Sequence, residues 1–512
     1  MQTTKEEPAG AAMAPVKDGE PPLHILFFPF LIPGHLIPMA DMAALFAGRG
    51  VRCTILTTPF QASIIRSVVD RANKDNPTSP SIDISVVPFP DVGLPPGAES
   101  GTGLASQDER DMFNQAVRLL REPLERSLAD HRADLDAVVS DSLFHWSVDV
   151  AAEHGVPRLG FTGSSMFACS CFHSMLRNCN PSDLDNLQSP SSSSTDGESD
   201  PEAVMVALPG LPHRVEMRRS QMMKRPEEWA FFRGVDATEQ RSYGELFNSF
   251  CELEPDYVKH YRTTLGRRAW LVGPVSLASG SMGVASRGTD ALSPEADGCL
   301  QWLDGKPAGS VVYVAFGTLA TFSPEQLQEL ARGLDLSGSN FVWVISATGA
   351  TTSSNDWMAE GLATASRGYI IRGWAPQVLI LNHPAVGCFV THCGWNSTLE
   401  ALSAGVPMVT WPRHADQFHN EKLVVELLGA GVSVGAKDYA SLTEAHAVIA
   451  GSVIAESVRR VMGAQGDAIQ KKARDLSARA RDAVENGGSS YGDVGRLMDE
   501  LVNRRIQRHD AR

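Results

Sequence analysis

A strand at Val386–Thr391, a tight turn at His392 and a helix beginning near Asn396 are predicted in an order that could bind an anion. The first turn of a helix carries backbone N–H groups without partners in the helix, and the helix dipole is positive there. Ser397 and Thr398 suit the cap or first turn of such a helix, and His392 adds a side-chain donor beside it. Together these features favour a pyrophosphate bound without a metal. Taken alone, they are also typical of an ordinary capped βα turn.

Two further side chains are predicted where α/β sheets place reactive groups. His35 follows a buried strand and a Pro33-Gly34 turn, at the start of a helix, and Asp141 closes another buried strand. Ligands collect at the carboxyl ends of parallel strands, and histidine titrates near neutral pH. A lone histidine is more often structural, and Asp141 also suits the N-cap of a helix predicted at Ser142–His154. His145 is a weaker candidate base, because it is predicted inside that helix without a partner.

The elements that must position these residues are short apolar strands alternating with longer helical patterns. Continuous apolar strands separated by helices indicate parallel sheets covered on both faces, and two such sets predict two doubly wound Rossmann-like domains facing a cleft. Besides the strand before His392, the predicted strands are His24–Phe30, Val51–Thr58, Ile82–Val87, Ala137–Asp141, Ser310–Thr318, Phe341–Ile345 and Pro407–Pro412.

Composition suggests where the domains begin and end. The first domain is predicted over residues 21–274, after a disordered extension at 1–20, and the second over residues 295–488. Residues 275–294 are rich in Ser, Gly and Ala, which is typical of a linker. Inside the first domain, residues 189–202 are polar and aperiodic, which predicts a mobile surface loop. Residues 489–508 carry one apolar stripe, so a C-terminal helix should pack back on the N-terminal domain.

Several classes of protein are excluded by composition. The 512 residues carry a net charge of −15, which disfavours nucleic acid or an anionic membrane as a partner. The sequence has no uninterrupted apolar run of membrane-spanning length and no apolar core of a secretory signal, so no membrane insertion is expected. The eight cysteines are scattered without a CxxC pair. Neither a zinc site nor a disulfide framework is therefore expected, and the cysteines suit a reducing cytoplasm.

Two glycine patterns resemble catalytic loops but stand in the wrong context. Gly429–Gly435 superficially matches a dinucleotide loop and also contains G-x-S-x-G, but it follows a helix instead of a strand. Gly429 is therefore interpreted as a helix C-cap. Gly488–Gly492 also matches G-x-S-x-G, but it precedes the terminal helix, where Ser489 or Ser490 suits an N-cap. A dehydrogenase and a serine hydrolase are both disfavoured.

The 44 residues from Trp374 to Gln417 resemble the signature of plant secondary-product glycosyltransferases, which use UDP-sugars. They read WAPQVLILNHPAVGCFVTHCGWNSTLEALSAGVPMVTWPRHADQ, with the Trp and the Asp-Gln pair that begin and end the signature. In the first half, FFPFLIPGHLIPMADMAALFAGRG, TILTTP and LPGLPHRVEMRRSQM are similar to one subgroup of these enzymes. The resemblance covers nearly all of residues 23–505. It implies an inverting, family 1 glycosyltransferase of GT-B fold, with an acceptor-binding first domain and a UDP-sugar-binding second domain.

The resemblance also implies a role for each matching residue. His35 would be the general base and Asp141 its partner, while Trp374 would stack on the uracil. Alone, Trp374 would be interpreted as a core aromatic, and Glu400 as a solvated helical carboxylate. Ala375 would bond the edge of the base, and the ribose would be held by Gln377 and Glu400. The phosphates would bind Thr318, His392, Asn396 and Ser397. The sugar would face Trp395, Asp416 and Gln417, with Gly34 beside the donor.

The predicted activity is transfer of glucose from UDP-glucose to a hydroxyl of a small lipophilic acceptor. Gln417 at the end of the signature generally accompanies glucose in this family. Transfer of xylose, galactose or glucuronate, or a catalytically silent nucleotide-sugar binder, are the alternatives. Flavonoids, phenylpropanoids, triterpenoids and hormones are all allowed as acceptors, and Met166 with Phe167 would either line an acceptor pocket or pack in the core. The UDP-sugar is a co-substrate, no other cofactor and no metal are expected, and the protein is expected to be a cytoplasmic monomer.

Overall fold

The computed structural model describes residues 21–95, 98–104, 106–181, 204–278, 294–318, 320–345, 367–439 and 447–510. The predicted extension at residues 1–20, the predicted loop at 189–202 and residues 279–293 of the predicted linker lie outside these ranges. The first four residues of that predicted linker, Val275–Ala278, form a short helix.

A parallel sheet forms the centre of the first half of the described chain. Its strands lie in the order β3-β2-β1-β4-β5-β8-β9, and every neighbouring pair is parallel. Its strands are β1 His24–Phe28, β2 Arg52–Thr57, β3 Ile82–Val86, β4 Ala137–Asp141, β5 Arg158–Phe161, β8 Gly244–Phe247 and β9 Ala269–Leu271. The central strands β1 and β4 are buried at every residue, as expected when helices cover both faces. A separate antiparallel hairpin joins β6 Met205–Leu208 to β7 Val215–Arg218.

The second half repeats the plan with a parallel sheet in the order β12-β11-β10-β13-β14-β15. Its strands are β10 Val311–Ala315, β11 Asn340–Ile345, β12 Gly368–Arg372, β13 Val386–Thr391, β14 Met408–Thr410 and β15 Gly431–Ser433. The register pairs Ala315 with Thr391, and Thr391 with Thr410. Three strands therefore end at one level, and the loops that follow them meet at one edge.

Helices connect the strands and cover both sheets. In the first half they are α1 Pro33–Ala47, α2 Pro59–Asp75, α3 Gln107–Leu119, α4 Arg121–Asp130, α5 Ser147–Glu153, α6 Met166–Asn178, α7 Pro226–Arg241, α8 Pro255–Lys259 and α9 Val275–Ala278. In the second half they are α10 Pro294–Asp304, α11 Pro324–Ser337, α12 Gln377–Leu381, α13 Trp395–Ala404, α14 Gln417–Lys422, α15 Gly451–Met462, α16 Asp467–Val484 and α17 Ser489–Asp510.

The C-terminal helix α17 returns to the first sheet, as predicted. Its apolar stripe, which includes Val494, Leu497 and Leu501, is buried in the same core cluster as β1 and α1. Arg505 fixes the far end of the helix, because its Nε donates to the carboxylate of Asp136 at 2.8 Å.

Some predicted boundaries are wrong. The helix predicted at Ser142–His154 begins only at Ser147, so His145 lies in an exposed turn before the helix and not inside it. The strand predicted at Ser310–Thr318 is β10, which ends at Ala315, and the strand predicted at Pro407–Pro412 is reduced to β14. Proline has no N–H for a strand ladder, which explains the shortening at both ends of β14.

The interpretation of Gly429 as a helix end is confirmed. The helical run that starts at Gln417 continues to Leu427, and Gly429 has a φ of 63°. A left-handed residue after a helix is a common C-cap that glycine adopts without strain.

Candidate active site

His35 and Asp141 lie side by side where β1 and β4 end. His35 is in the first turn of α1, after Pro33, which suits the first helical position. Its Nδ1 lies 2.6 Å from Oδ2 of Asp141, whose side chain is fully buried. The second oxygen of Asp141, Oδ1, accepts the backbone N–H of Leu143 at 2.9 Å. The carboxylate thereby orients the imidazole ring and leaves its Nε2 to face a substrate.

The environment of His35 favours its charged form. Burial lowers the pKa of the imidazole, but the Asp141 carboxylate, through its charge and hydrogen bond, together with Asp416, outweighs that effect and raises the pKa above 6.5. Gly163 lies against the ring with a φ of 69°, and a Cβ there would come within 3.3 Å of it. Glycine at this turn therefore leaves room for the imidazole.

The N-terminus of α13 lies at the level where β10, β13 and β14 end. The residue before it, Gly394, provides no side-chain cap, and the first helical hydrogen bond runs from Thr398 N to Gly394 O at 2.9 Å. The N–H groups at the start of α13 thus precede the helical ladder. Cys393 has a φ of 64°, a strained value for a residue with a side chain. These features suit an anion.

His392 stands beside this helix end between two glycines. A Cβ on Gly317 would lie 2.8 Å from its ring, and one on Gly394 would lie 2.5 Å from it. Burial, with a contribution from His414, lowers the pKa of His392 to about 3, so the ring is a neutral donor. Its Nδ1 and the Oδ1 of Asn396 are buried without a hydrogen-bond partner among the described residues. Such groups call for an explanation, and a ligand at the helix end provides one.

The same helix end is bonded to the other half of the molecule. The amide of Asn396 donates to the backbone oxygen of Gly34 at 2.6 Å, immediately before His35. The indole N–H of Trp395 donates to the backbone oxygen of Asn248 at 2.8 Å, and its ring is only 3% exposed. The contact of Trp395 with the sugar stays a prediction. The indole N–H of Trp395 already donates to Asn248, so such a contact would use another part of the residue.

Three predicted donor residues form one hydrogen-bonded cluster. The amide of Gln377 donates to Oγ of Ser397 at 3.0 Å and to Oε2 of Glu400 at 2.8 Å. Tyr313 of β10 reaches the oxygen of the same amide at 3.5 Å. The structure therefore brings the predicted ribose residues, Gln377 and Glu400, directly against the predicted phosphate residue Ser397.

The remaining predicted contacts follow from the chain around this cluster. Trp374 and Ala375 come just before α12, and the ring of Trp374 is 41% exposed, where a planar ligand can reach it. Thr318 lies in the turn after β10, next to Gly317. Trp374 precedes Gln377 by three residues, which places it near the cluster.

Asp416 and Gln417 stand at the start of α14, after Ala415 with a strained φ of 54°. The oxygen of Gln417 accepts the backbone N–H groups of Arg413 at 2.9 Å and of His414 at 3.1 Å. Gln417 therefore also shapes the loop after β14. Burial raises the pKa of Asp416, and the nearby Ser164 of the first half opposes that rise, so this carboxylate lies close to the first half of the molecule.

Three further residues contribute to the site without having been predicted from the sequence. Asn420 bonds Asp416, Asn248 receives Trp395, and Gly317 leaves room for His392. Only Asn420 had a detectable signal, since residues four apart on a helix lie on the same face. The other two contacts join segments distant in sequence. Met166 and Phe167 are both fully buried in the core, so core packing is the correct alternative for them.

The chain is similar to known enzymes along nearly its whole length. It is 42% identical to anthocyanin 3'-O-beta-glucosyltransferase of Gentiana triflora, over 94% of this chain and 98% of that protein. It is 41% identical to scopoletin glucosyltransferase of Nicotiana tabacum, with 94% and 98% covered. The model of the UDP-glucoronosyl and UDP-glucosyl transferase family matches residues 240–461. The chain belongs to this family.

The fold agrees with a solved member of the UDP-glycosyltransferases. The crystal structure of Glycyrrhiza uralensis UGT73P12, complexed with glycyrrhetinic acid 3-O-monoglucuronide, matches with a TM-score of 0.84 and 36% identity, covering 96% of this chain and 98% of that one. The predicted GT-B architecture of two Rossmann-like domains is confirmed. Its named relatives are glucosyltransferases, which agrees with the predicted hexosyltransferase activity. Among the residues that the structure describes, no group of His, Cys, Asp or Glu is placed to hold a metal ion, and no helix is long and apolar enough to cross a membrane.

Proposed function

We propose that the protein transfers glucose from UDP-glucose to a hydroxyl of a small lipophilic acceptor, with inversion to a β-glucoside and without a metal. One observation carries the proposal: the His35–Asp141 pair and the N-terminus of α13 face one cleft, joined by the bond from Asn396 to Gly34. A base and an anion site joined through neighbouring residues suit the activation of a hydroxyl next to a departing diphosphate. The cytoplasm is the proposed location.

His35 acts as the general base. Its Nε2 takes the proton of the acceptor hydroxyl as the oxygen attacks C1 of the sugar, and the bond from C1 to the diphosphate oxygen breaks. Because attack comes from the face opposite UDP, an α-linked donor gives a β-linked product. Asp141 stabilises the imidazolium that forms, as the carboxylate does in a catalytic triad.

The leaving diphosphate is stabilised by the protein itself. The diphosphate binds the N–H groups at the start of α13, the ring of His392 and the hydroxyls of Thr318 and Ser397. The absence of a side-chain cap on α13 and the neutral state of His392 support this assignment. Such preorganised donors need no reorganisation as negative charge develops. They supply what a divalent cation supplies in metal-dependent transferases.

The donor lies across the second domain in the order base, ribose, phosphates and sugar. Trp374 stacks on the uracil, and Ala375 bonds its edge through the backbone. Gln377 and Glu400 hold the ribose, as their mutual hydrogen bond allows. Asn396 completes the phosphate contacts, and Asp416, Gln417 and Trp395 meet the sugar.

The acceptor site beside His35 is apolar. The ring of Phe30 lies 6.3 Å from that of His35, with Phe113 and Phe144 packed behind it. Aromatic walls of this kind suit a planar or lipophilic acceptor. The relatives' names indicate the range, from anthocyanin to scopoletin, and flavonoids, phenylpropanoids, triterpenoids and hormones remain candidates. A catalytically silent nucleotide-sugar binder would not require a histidine hydrogen-bonded to a carboxylate, as His35 is to Asp141.

The test is a screen of acceptors with UDP-glucose, read by mass spectrometry for a mass gain of one hexosyl group and by release of UDP. UDP-glucose, UDP-galactose, UDP-xylose and UDP-glucuronate then compete in one mixture. Glucosides should dominate the products. A preference for another donor sugar would refute the assignment of glucose, and no transfer to any acceptor would refute the enzyme.

A further inference from the structure

One fully buried side chain, Asn420 on α14, bonds to three parts of the site. Its Nδ2 donates to the backbone oxygen of Cys393 at 2.9 Å and to Oδ2 of Asp416 at 3.0 Å. Its Oδ1 accepts the hydroxyl of Ser165 at 3.3 Å. Both amide hydrogens and one lone pair of the oxygen are thus used, so the amide has a single orientation.

Each partner of Asn420 belongs to a different functional element. Cys393 is the strained residue before α13, where the diphosphate is proposed to bind. Asp416 is the proposed sugar ligand. Ser165 caps α6 in the other domain by accepting the N–H of Ala168 at 3.0 Å. The residues before it lie at the active site, because Gly163 packs beside the ring of His35 and Ser164 is close enough to Asp416 to oppose the rise of its pKa on burial.

We propose that Asn420 is a positioning residue that fixes the Asp416 carboxylate relative to the diphosphate turn and to the loop beside the base. The inference rests on the proposed function, because it assumes that Asp416 binds the donor sugar. Misplacement of a reacting group by about 1 Å can cost on the order of a hundredfold in rate. A single rigid amide that joins these elements would keep the sugar carbon in line with the acceptor oxygen.

Asn420 also supports the charge that this role requires. Burial raises the pKa of Asp416, and the hydrogen bonds from Asn420 and Ser164 oppose that rise. An ionised Asp416 accepts hydrogen bonds from sugar hydroxyls, whereas a protonated one loses part of that capacity.

The test compares Asn420→Ala and Asn420→Asp with matched changes of another buried amide, Gln326→Ala and Gln326→Glu. The side-chain amide of Gln326 donates to the backbone oxygen of Ile449 and accepts its backbone N–H. Within the described part of the chain, it makes no hydrogen bond to a proposed site residue. Thermal stability, the Kd for UDP, and kcat and KM for UDP-glucose are measured for all four. The Asn420 variants should lose about 30–100-fold in kcat/KM, at least tenfold more than they lose in UDP affinity. The Gln326 variants should lose stability and keep kcat/KM within about twofold of wild type. Equal losses at both positions, or a loss that merely tracks UDP affinity, would overturn the positioning role.

A double-mutant cycle with Asp416→Asn identifies the route of the effect. If Asn420 acts through Asp416, the double variant should be no more than about threefold slower than Asp416→Asn alone. Multiplying losses would show that Asn420 acts elsewhere. Failure of the wild type to use UDP-glucose would count against the proposed function, and it is seen before any variant is compared.

Discussion

At the level of single side chains, Asp141 is the partner of His35 and not the N-cap that its sequence position also allowed, because α5 begins only at Ser147, after Trp146. Its Oδ2 holds His35, and its Oδ1 accepts the N–H of Leu143 in the turn that follows β4. The contact to the turn uses one oxygen, so it does not compete with the contact to the imidazole. The carboxylate is consequently fixed at both ends and fixes the ring in turn.

Replacement of His35 tests the base directly. A positioned base contributes about 10²–10⁴-fold, so His35→Ala should lower kcat/KM on an aliphatic alcohol by about that factor. The Kd for UDP should stay near the wild-type value, because the nucleotide contacts lie in the other domain. Asp141→Asn should lose less, since the imidazole remains. Partly ionised phenols are the internal control and should suffer a smaller loss. Near wild-type turnover of the alcohol by His35→Ala would refute the mechanism.

The pH profile should report the His35–Asp141 pair. The protonated form of His35 cannot accept the acceptor's proton, and its pKa is raised above 6.5. The acidic limb of kcat/KM for an alcohol should therefore lie above pH 6.5 and flatten as the pH rises through the raised pKa. In Asp141→Asn the neighbouring charge that raises the pKa of His35 most is removed, and only the smaller effect of Asp416 still opposes burial, so the limb should move to lower pH. If the acidic limb keeps its position in Asp141→Asn, it does not report the ionisation of His35.

The local sequence pattern and the family resemblance predict which individual residues lie at strand ends, but not their contacts with distant segments. His35, Asp141 and the start of α13 stand at strand ends, and that placement follows from the pattern alone. The bond of Trp395 to Asn248 does not, because the two residues are 147 positions apart. The contacts of Gln417 with the backbone of Arg413 and His414 are local, but they depend on the conformation of the loop, which the sequence does not display.

Among the elements, the turn after β10 is shaped to admit the ring of His392. Gly317 has a φ of 68° and a Cβ there would lie 2.8 Å from the ring, whereas Gly309, with a φ of 64°, has open space. Both Gly→Ala variants carry the cost of a left-handed alanine, about 1 kcal/mol. Only Gly317→Ala should also displace His392, and we expect its Kd for UDP to rise at least about tenfold, for a loss near 1.4 kcal/mol. Calorimetric titration of both variants checks this, and equal affinities would contradict the steric argument.

The helix end that replaces a cation gives a second prediction at this scale. Because α13 and His392 are proposed to stabilise the diphosphate, turnover should be unchanged within about twofold in excess EDTA. Initial rates with UDP-glucose before and after chelation measure it. Activity that disappears in EDTA and returns with magnesium or manganese would contradict the proposal.

Elements were predicted best where they are long or fully apolar. β4 has the bounds expected from its apolar run, and α17 has the predicted stripe. The short strands β5, β8, β9, β12 and β15 were missed, because three to five residues carry too little periodicity to separate a strand from a loop. Pairing with neighbouring strands, which the sequence does not display, makes them strands.

Across the whole molecule, the two domains are joined by polar contacts at the cleft and by one helix at the back. In the cleft, Asn396, Trp395 and Asn420 cross from the second domain to the first. At the back, α17 packs on the first sheet although it follows α16 of the second domain. The helix therefore ties the two domains together at the back, while the small polar contacts join them beside the proposed base and donor site.

The anchor of α17 is Asp493, which is 3% exposed. Its Oδ2 accepts Arg262 at 2.7 Å and the backbone N–H of Leu271 in β9 at 2.9 Å. Asp493→Ala leaves that N–H and the guanidinium without their partner, which should cost about 1–3 kcal/mol of unfolding free energy. Asp475→Ala is the control, because it removes an exposed carboxylate paired with Lys471 on α16, and exposed pairs contribute little.

Urea unfolding and thermal melting of both Asp493→Ala and Asp475→Ala measure the difference. The midpoint of Asp493→Ala should fall clearly, and that of Asp475→Ala should coincide with wild type. Among the described residues, Asp493 makes no hydrogen bond to a residue proposed to bind UDP-glucose. The kcat/KM at a temperature where the variant is fully folded should therefore stay within about threefold of wild type. A large loss of activity without a loss of stability would mean that α17 controls the cleft and does more than hold the first domain. Unchanged stability would show that the buried hydrogen bond to Leu271 is dispensable, and that the apolar stripe with the other contacts of α17, such as Arg505 to Asp136, holds the helix in place.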